Sequence, residues 1–192
     1  MRTPHIVMIS GSLRPGSTCD QIAHWCAERC AEHGATTRVF TGADIDFPAY
    51  RPDLAHPAVT DYLHQLRTAD GVILISPTYH ATLSGLLKNA LDYVNDLTTP
   101  VPYLEGRAIG TVAVGSAAQG AVSTLTALRT IAHALRGWPT PVGAALSRVP
   151  EPPAATAEPT PDAARLADLV SQVLWLASRT TTPAPVPVGA AA

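Results

Sequence analysis

Residues 71–76, Gly-Val-Ile-Leu-Ile-Ser, form an unbroken apolar run rich in β-branched side chains. A run this short reads as a strand, and one with no polar face has to be covered on both sides, as in the centre of a parallel sheet. Residues 5–10, His-Ile-Val-Met-Ile-Ser, repeat the pattern near the N-terminus. Segments 36–41 and 108–114 read as further strands, and 141–146 as a short edge strand. Between them apolar residues recur at helical spacing: Ile22, Ala23, Cys26, Ala27 and Cys30 in 17–33, closed by Gly34; Val59, Leu63 and Leu66; Leu86, Leu87, Ala90, Leu91, Val94 and Leu97 in 83–97; Leu125, Leu128, Ile131, Ala132 and Leu135; and Leu166, Leu169, Val170, Val173, Leu174 and Ala177 in 162–179. Five strands alternating with five helices predict an α/β domain, a doubly wound five-stranded parallel sheet. Right-handed crossovers give the order 2-1-3-4-5, with a ligand crevice at the carboxyl ends of strands 1, 3 and 4.

At 192 residues the chain suits one core. Its expected organisation is a domain over 1–148, a Pro/Ala-rich linker over 149–161, a C-terminal helix over 162–179, and a disordered tail over 180–192. A net charge of −2 with 15% charged residues suits neither a nucleic-acid binder nor an acidic solvating chain, so a small molecule is the expected partner. No stretch is long and apolar enough for a membrane span, and the N-terminus enters a strand directly, which leads to a cytoplasmic expectation. The three cysteines, Cys19, Cys26 and Cys30, share a helical stripe with Ile22 and Ala23 and read as small core residues. His24, His33, His56, His64 and His133 are scattered singly and read as surface residues.

Three loops leave the predicted crevice end. The first, 11–18, holds two glycines, hydroxyls and Arg14 ahead of a helix that Ser17 would cap. Successive amides and a helix N-terminus make such a turn an anion site, although an ordinary βα turn has the same composition. Its Gly11-to-Gly16 spacing is that of a Walker A loop, but Ser17 stands where the lysine belongs; Leu13 likewise replaces the second glycine of a dinucleotide fingerprint. A single terminal phosphate held by hydroxyls, amides and Arg14 fits better. The second loop is Pro77-Thr78-Tyr79-His80, and the third runs from Gly115 to Gly120. A phosphate at one end and a flat body against an aromatic residue and exposed backbone at the other match flavin mononucleotide.

GSLRPGS after strand 1 and SPTYHATLSGLLKNALDY after strand 3 resemble the NADPH-dependent FMN reductase family of flavodoxin-like proteins, over about residues 5–147. The resemblance implies FMN and NADPH (or NADH) as cofactors. It implies a phosphate site from Ser10, Ser12, Arg14, Ser17 and Thr18, with nearby amides. It implies a ring site from Pro77, Thr78, Tyr79 and His80, with Gly115, Ser116, Gln119 and Gly120 meeting the far edge. The family usually has Asn where this chain has Cys19, and often Asn where it has His80. His80 is open to two readings, a donor over the flavin edge or a loop residue standing in for Asn. Tyr79 either stacks on a ring or plugs the loop.

The expected mechanism is hydride transfer from nicotinamide to FMN with onward transfer to free flavin or another small-molecule electron acceptor, needing no catalytic side chain and no metal. The alternatives are a quinone or azo reductase, a biosynthetic tailoring flavoenzyme, a redox sensor and a flavodoxin-type carrier; the modest net charge argues against the carrier. The apolar arc of Leu83, Leu86, Leu87, Leu91, Tyr93 and Val94 leads to the expectation of a homodimer or homotetramer formed through segment 83–97.

Overall fold

The structure, a computed structural model, describes residues 3–147 and 160–179. Most of the expected linker and all of the expected tail lie outside the described residues. Six strands, β1 (His5–Ser10), β2 (Thr36–Phe40), β3 (Gly71–Pro77), β4 (Ala108–Gly115), β5 (Trp138–Pro139) and β6 (Ala144–Ser147), form one parallel sheet. Its order is β2-β1-β3-β4-β5, with β6 also on β4, which is the 2-1-3-4-5 arrangement. The helices are α1 (Thr18–Glu32), α2 (Thr60–Thr68), α3 (Gly85–Asp92), α4 (Ala118–Ala134) and α5 (Pro161–Ala177).

Alternation along the strands builds two cores. Val7, Ile9, Val72, Leu74, Ile109 and Ala113 face α2, α3 and α4. Ile6, Met8, Ile73, Ile75, Ala108 and Val112 face α1 and α5. Both faces are therefore covered, and β3 from Gly71 to Ser76 is buried throughout. The cysteine stripe packs in the second core, where all three thiols are free and buried. Leu166, Leu169, Val170 and Val173 of α5 close the same core, so the last helix covers this sheet.

Three expectations change. The fifth strand, expected over 141–146, is divided: in β5 Trp138 N and Thr140 N donate along β4 to Arg107 O and Ile109 O, Pro141 then supplies no donor, Val142 N turns to Gln172 Oε1 at 2.8 Å, and pairing resumes only at Ala144 in β6. The helix expected over 83–97 is shorter: Ser84 caps it, and after Asp92 the chain tightens into a 3₁₀ turn, Tyr93–Asp96. Its apolar arc is also satisfied within the protomer. Leu83, Leu87, Leu91, Tyr93, Val94 and Leu97 are all buried, leaving only Leu86 half-exposed. The cover is the connection after β2. Asn89 accepts from Tyr50 N and donates to Phe47 O and Pro48 O, Tyr93 Oη donates to Pro48 O, and Phe47 and Tyr50 pack edge-on against Tyr93. The apolar excess that argued for a subunit contact through this helix is absent.

Candidate functional site

Parallel pairing in register brings the carboxyl ends of β1, β3 and β4 together, with Ser10 beside Ile75 and Pro77 beside Val114. The loops beyond are stitched to one another. Ser84 Oγ donates to Gly11 O at 2.7 Å while accepting from Leu87 N, so the cap of α3 also fastens the first loop. Thr78 N donates to Val114 O at 2.7 Å, fixing the second loop against the third.

In the first loop Ser17 N donates to Arg14 O at 3.1 Å across Pro15 and Gly16. Proline at the first central position and a glycine with φ of 63° at the second are the requirements of a type II turn. The turn raises backbone donors without acceptors. The amides of Ser12, Leu13, Arg14, Gly16, Thr18 and Cys19 donate to no described residue. The Ser12 side chain, though nearly buried, has no hydrogen-bond partner among the described residues, and Arg14 is exposed without an ion pair there. Ser17 caps α1 through Asp20 N, as its sequence position implies, and Thr18 is the first helical residue.

Ser10 plays a different part from the one expected. It is fully buried, and its hydroxyl donates to Asp20 Oδ1 at 2.6 Å, so it braces the loop from beneath. Asp20 Oδ2 accepts from Ser17 N at 3.2 Å, completing a capping box. Gly42, at the exit from β2, presses against the same loop: a Cβ there would lie 1.9 Å from Ser12 O. Asp20, Gly42 and Ser84 escape sequence reasoning because a cap or a loop glycine carries no mark of its distant partner. The serine at position 84, immediately before an amphipathic helix, was the one usable signal.

In the second loop Pro77 ends β3, and Tyr79 and Thr82 pair as a two-residue hairpin, with amide bonds of 2.9 and 3.1 Å. His80 and Ala81 take φ of 50° and 65°, the type I′ conformation that favours Asn and Gly and is accessible to His. A backbone requirement thus accounts for a residue at position 80 that tolerates positive φ. Its side chain is exposed, and Tyr79 is 54% exposed.

The third loop is shorter than expected. Gly115 ends β4, Ser116 is exposed, and Gln119 and Gly120 already belong to the first turn of α4. That helix has no side-chain cap, so the amides of Ala118, Gln119 and Gly120 point out unpaired. Thr78 packs into the space that a Cβ at Gly115 or Gly120 would fill, at 3.1 Å from each, and its buried Oγ1 has no partner among the described residues.

Burial lifts the Cys19 thiol to about 12, with the Asp20 charge pushing it further up and Arg14 pulling it down. Cys30 is likewise pushed to about 12 by burial, and Cys26 rises for the same reason. None is a thiolate near neutrality. No group of three or more metal-ligating side chains occurs among the described residues.

The sequence model of a family described as NADPH-dependent FMN reductase matches residues 4–150. A protein named FMN-dependent NADPH-azoreductase from Staphylococcus aureus (strain USA300) is 30% identical over 144 residues, covering 70% of this chain and 72% of its own. Among solved structures, an NADH:FMN oxidoreductase in its apo form superposes with a TM-score of 0.67 at 21% identity, covering 94% of this chain and 92% of that one. FerB, a flavoenzyme NAD(P)H:acceptor oxidoreductase from Paracoccus denitrificans, does so with 0.62 at 20% identity, covering 93% and 99%.

Proposed function

The chain belongs to the NADPH-dependent FMN reductase family, and from that membership we propose how its own residues serve the activity. It is an NAD(P)H-dependent FMN oxidoreductase. When bound, FMN supplies the redox chemistry, taking a hydride from the nicotinamide and passing electrons to a small acceptor.

The residues present fit such a group. The reading is carried by the six amides of the first loop that lack acceptors, joined by the Ser12 hydroxyl and Arg14, a donor set suited to a terminal phosphate. At the other end, the uncapped first turn of α4 offers amides and a positive dipole end to a polar ring edge that gains negative charge on reduction. Ser10 and Ser17 brace and cap the loop, Thr78 buttresses the wall between the second and third loops, and Tyr79 offers an exposed ring for stacking. His80 serves by adopting the hairpin conformation. No side chain has to give or take a proton, so the chain's task is to bind and orient.

An azo compound as terminal acceptor has one specific support, the name carried by the staphylococcal relative. The purified protein is expected to oxidise NADPH when FMN is supplied, faster with the preferred acceptor among free FMN, a quinone and an azo dye. NADPH left unoxidised with every acceptor would overturn the assignment. The working form is read as a cytoplasmic homodimer or homotetramer. Use of NADPH supports the compartment. The exposed Leu13, Leu54 and Tyr79, on loops leaving β1, β2 and β3, support a contact at the crevice end. A strict monomer in light scattering at micromolar concentration would contradict that assembly.

A further inference from the structure

The phosphate loop contains an acid, and the charge it brings changes what the loop can hold. Asp20 is 5% exposed, with Oδ1 2.6 Å from Ser10 Oγ and Oδ2 3.2 Å from Ser17 N. It therefore lies inside the bonding network of the loop, where water screens it poorly. At the third position of α1 it already complements the helix dipole that a bound anion would otherwise have to itself.

Arg14 is the only cation between residues 11 and 20, so the formal charge of the loop is zero. A phosphate monoester carries nearly two negative charges at neutral pH. Asp20 Oδ2 takes up Ser17 N, the amide between the free amides of Gly16 and Thr18, so the carboxylate sits among the donors that would receive the phosphate. The amides of Thr18 and Cys19 are free to bind it, but against the repulsion of a fixed neighbour.

We propose that Asp20 sets the affinity of the phosphate loop, lowering it so that FMN exchanges between protein and solution instead of remaining as a resident group. The proposal rests on the FMN reading of the loop. It gives the capping box a second consequence: the carboxylate that holds the loop in shape is also the charge that weakens its grip. A reductase whose product is free reduced flavin needs such release.

The test is fluorescence titration of wild type, Asp20→Asn and Asp20→Glu with FMN and with riboflavin, which lacks the phosphate, each protein's fold being checked by its melting curve. Asp20→Asn keeps an acceptor oxygen without the charge and is expected to bind FMN about tenfold more tightly, with riboflavin unchanged. Asp20→Glu keeps the charge and is expected not to tighten. Should the Asn variant fail to fold, Asp20→Ser replaces it, with the same expectation. Wild type saturated with FMN is expected to lose it on a single desalting step. A folded neutral variant that binds FMN no tighter than wild type overturns the proposal, as does wild type that keeps FMN through desalting. Wild type that does not distinguish FMN from riboflavin would instead sink the phosphate reading of the loop, and the proposal with it.

Discussion

Ser84 holds three elements with one side chain and its own amide. Its Oγ donates to Gly11 O and accepts from Leu87 N, and its N donates to Ser76 Oγ at 3.0 Å. Ser84→Ala removes the α3 cap and leaves a buried carbonyl unpaired, so it is expected to cost about 2–3 kcal/mol in urea unfolding and to weaken FMN binding through the loosened first loop. A loss under about 0.5 kcal/mol would show that the loop is held elsewhere. At this scale much of the site was legible in the sequence. Ser17 as the cap and Arg14 as the free cation follow from composition and spacing. Ser10 was misplaced because a hydroxyl at a strand end looks the same whether it faces the crevice or, as here, a buried carboxylate ten residues on. Ser84 and Gly11 stand 73 residues apart, a pairing that no local pattern encodes.

Among elements, the buried strands and the amphipathic stripes announced themselves, since a residue's side of the sheet follows from its parity. Lengths were harder to read. The stripe over 83–97 continues past the end of α3 because the 3₁₀ turn that follows buries the same face, and hydrophobic periodicity does not distinguish the two. The fifth strand divides for a reason visible only after the fact: between its two stretches on β4, Pro141 lacks a donor and Val142 N turns to Gln172 of α5. For α5 the sequence left open which apolar surface it covers, and its packing here gives the answer. Leu169 is fully buried against the sheet, so Leu169→Ala is expected to destabilise the protein by about 2–5 kcal/mol in chemical denaturation. A change under about 1 kcal/mol would mean that α5 is dispensable to the core.

For the whole molecule, the buried thiols tie stability to alkaline pH. Cys19 and Cys30 rise from an ordinary 9.0 to about 12 in the folded protein, and Cys26 rises as well, each chiefly because burial disfavours the thiolate. Above pH 9 the unfolded chain releases these protons while the folded one retains them. Stability is therefore fully present below that pH and falls as pH climbs towards 12. The melting temperature should hold between pH 7 and 9 and then drop, while the thiols resist alkylation until the chain unfolds; rapid labelling of the native protein at pH 8 would contradict this. That the loops after β1, β3 and β4 meet was foreseen, because the strand order dictates which loops are neighbours. The opposing charges of Arg14 and Asp20 within the first loop were not, since they depend on which way Asp20 turns. The central claim, that residues 11–19 bind a flavin phosphate, is tested most directly by equilibrium titration of wild type and Arg14→Ala with FMN and riboflavin. The expected result is a wild-type preference for FMN, a roughly ten- to hundredfold loss of FMN affinity in Arg14→Ala, and no change for riboflavin. Equal wild-type affinity for FMN and riboflavin, or an Arg14→Ala protein that weakens both alike, would contradict it.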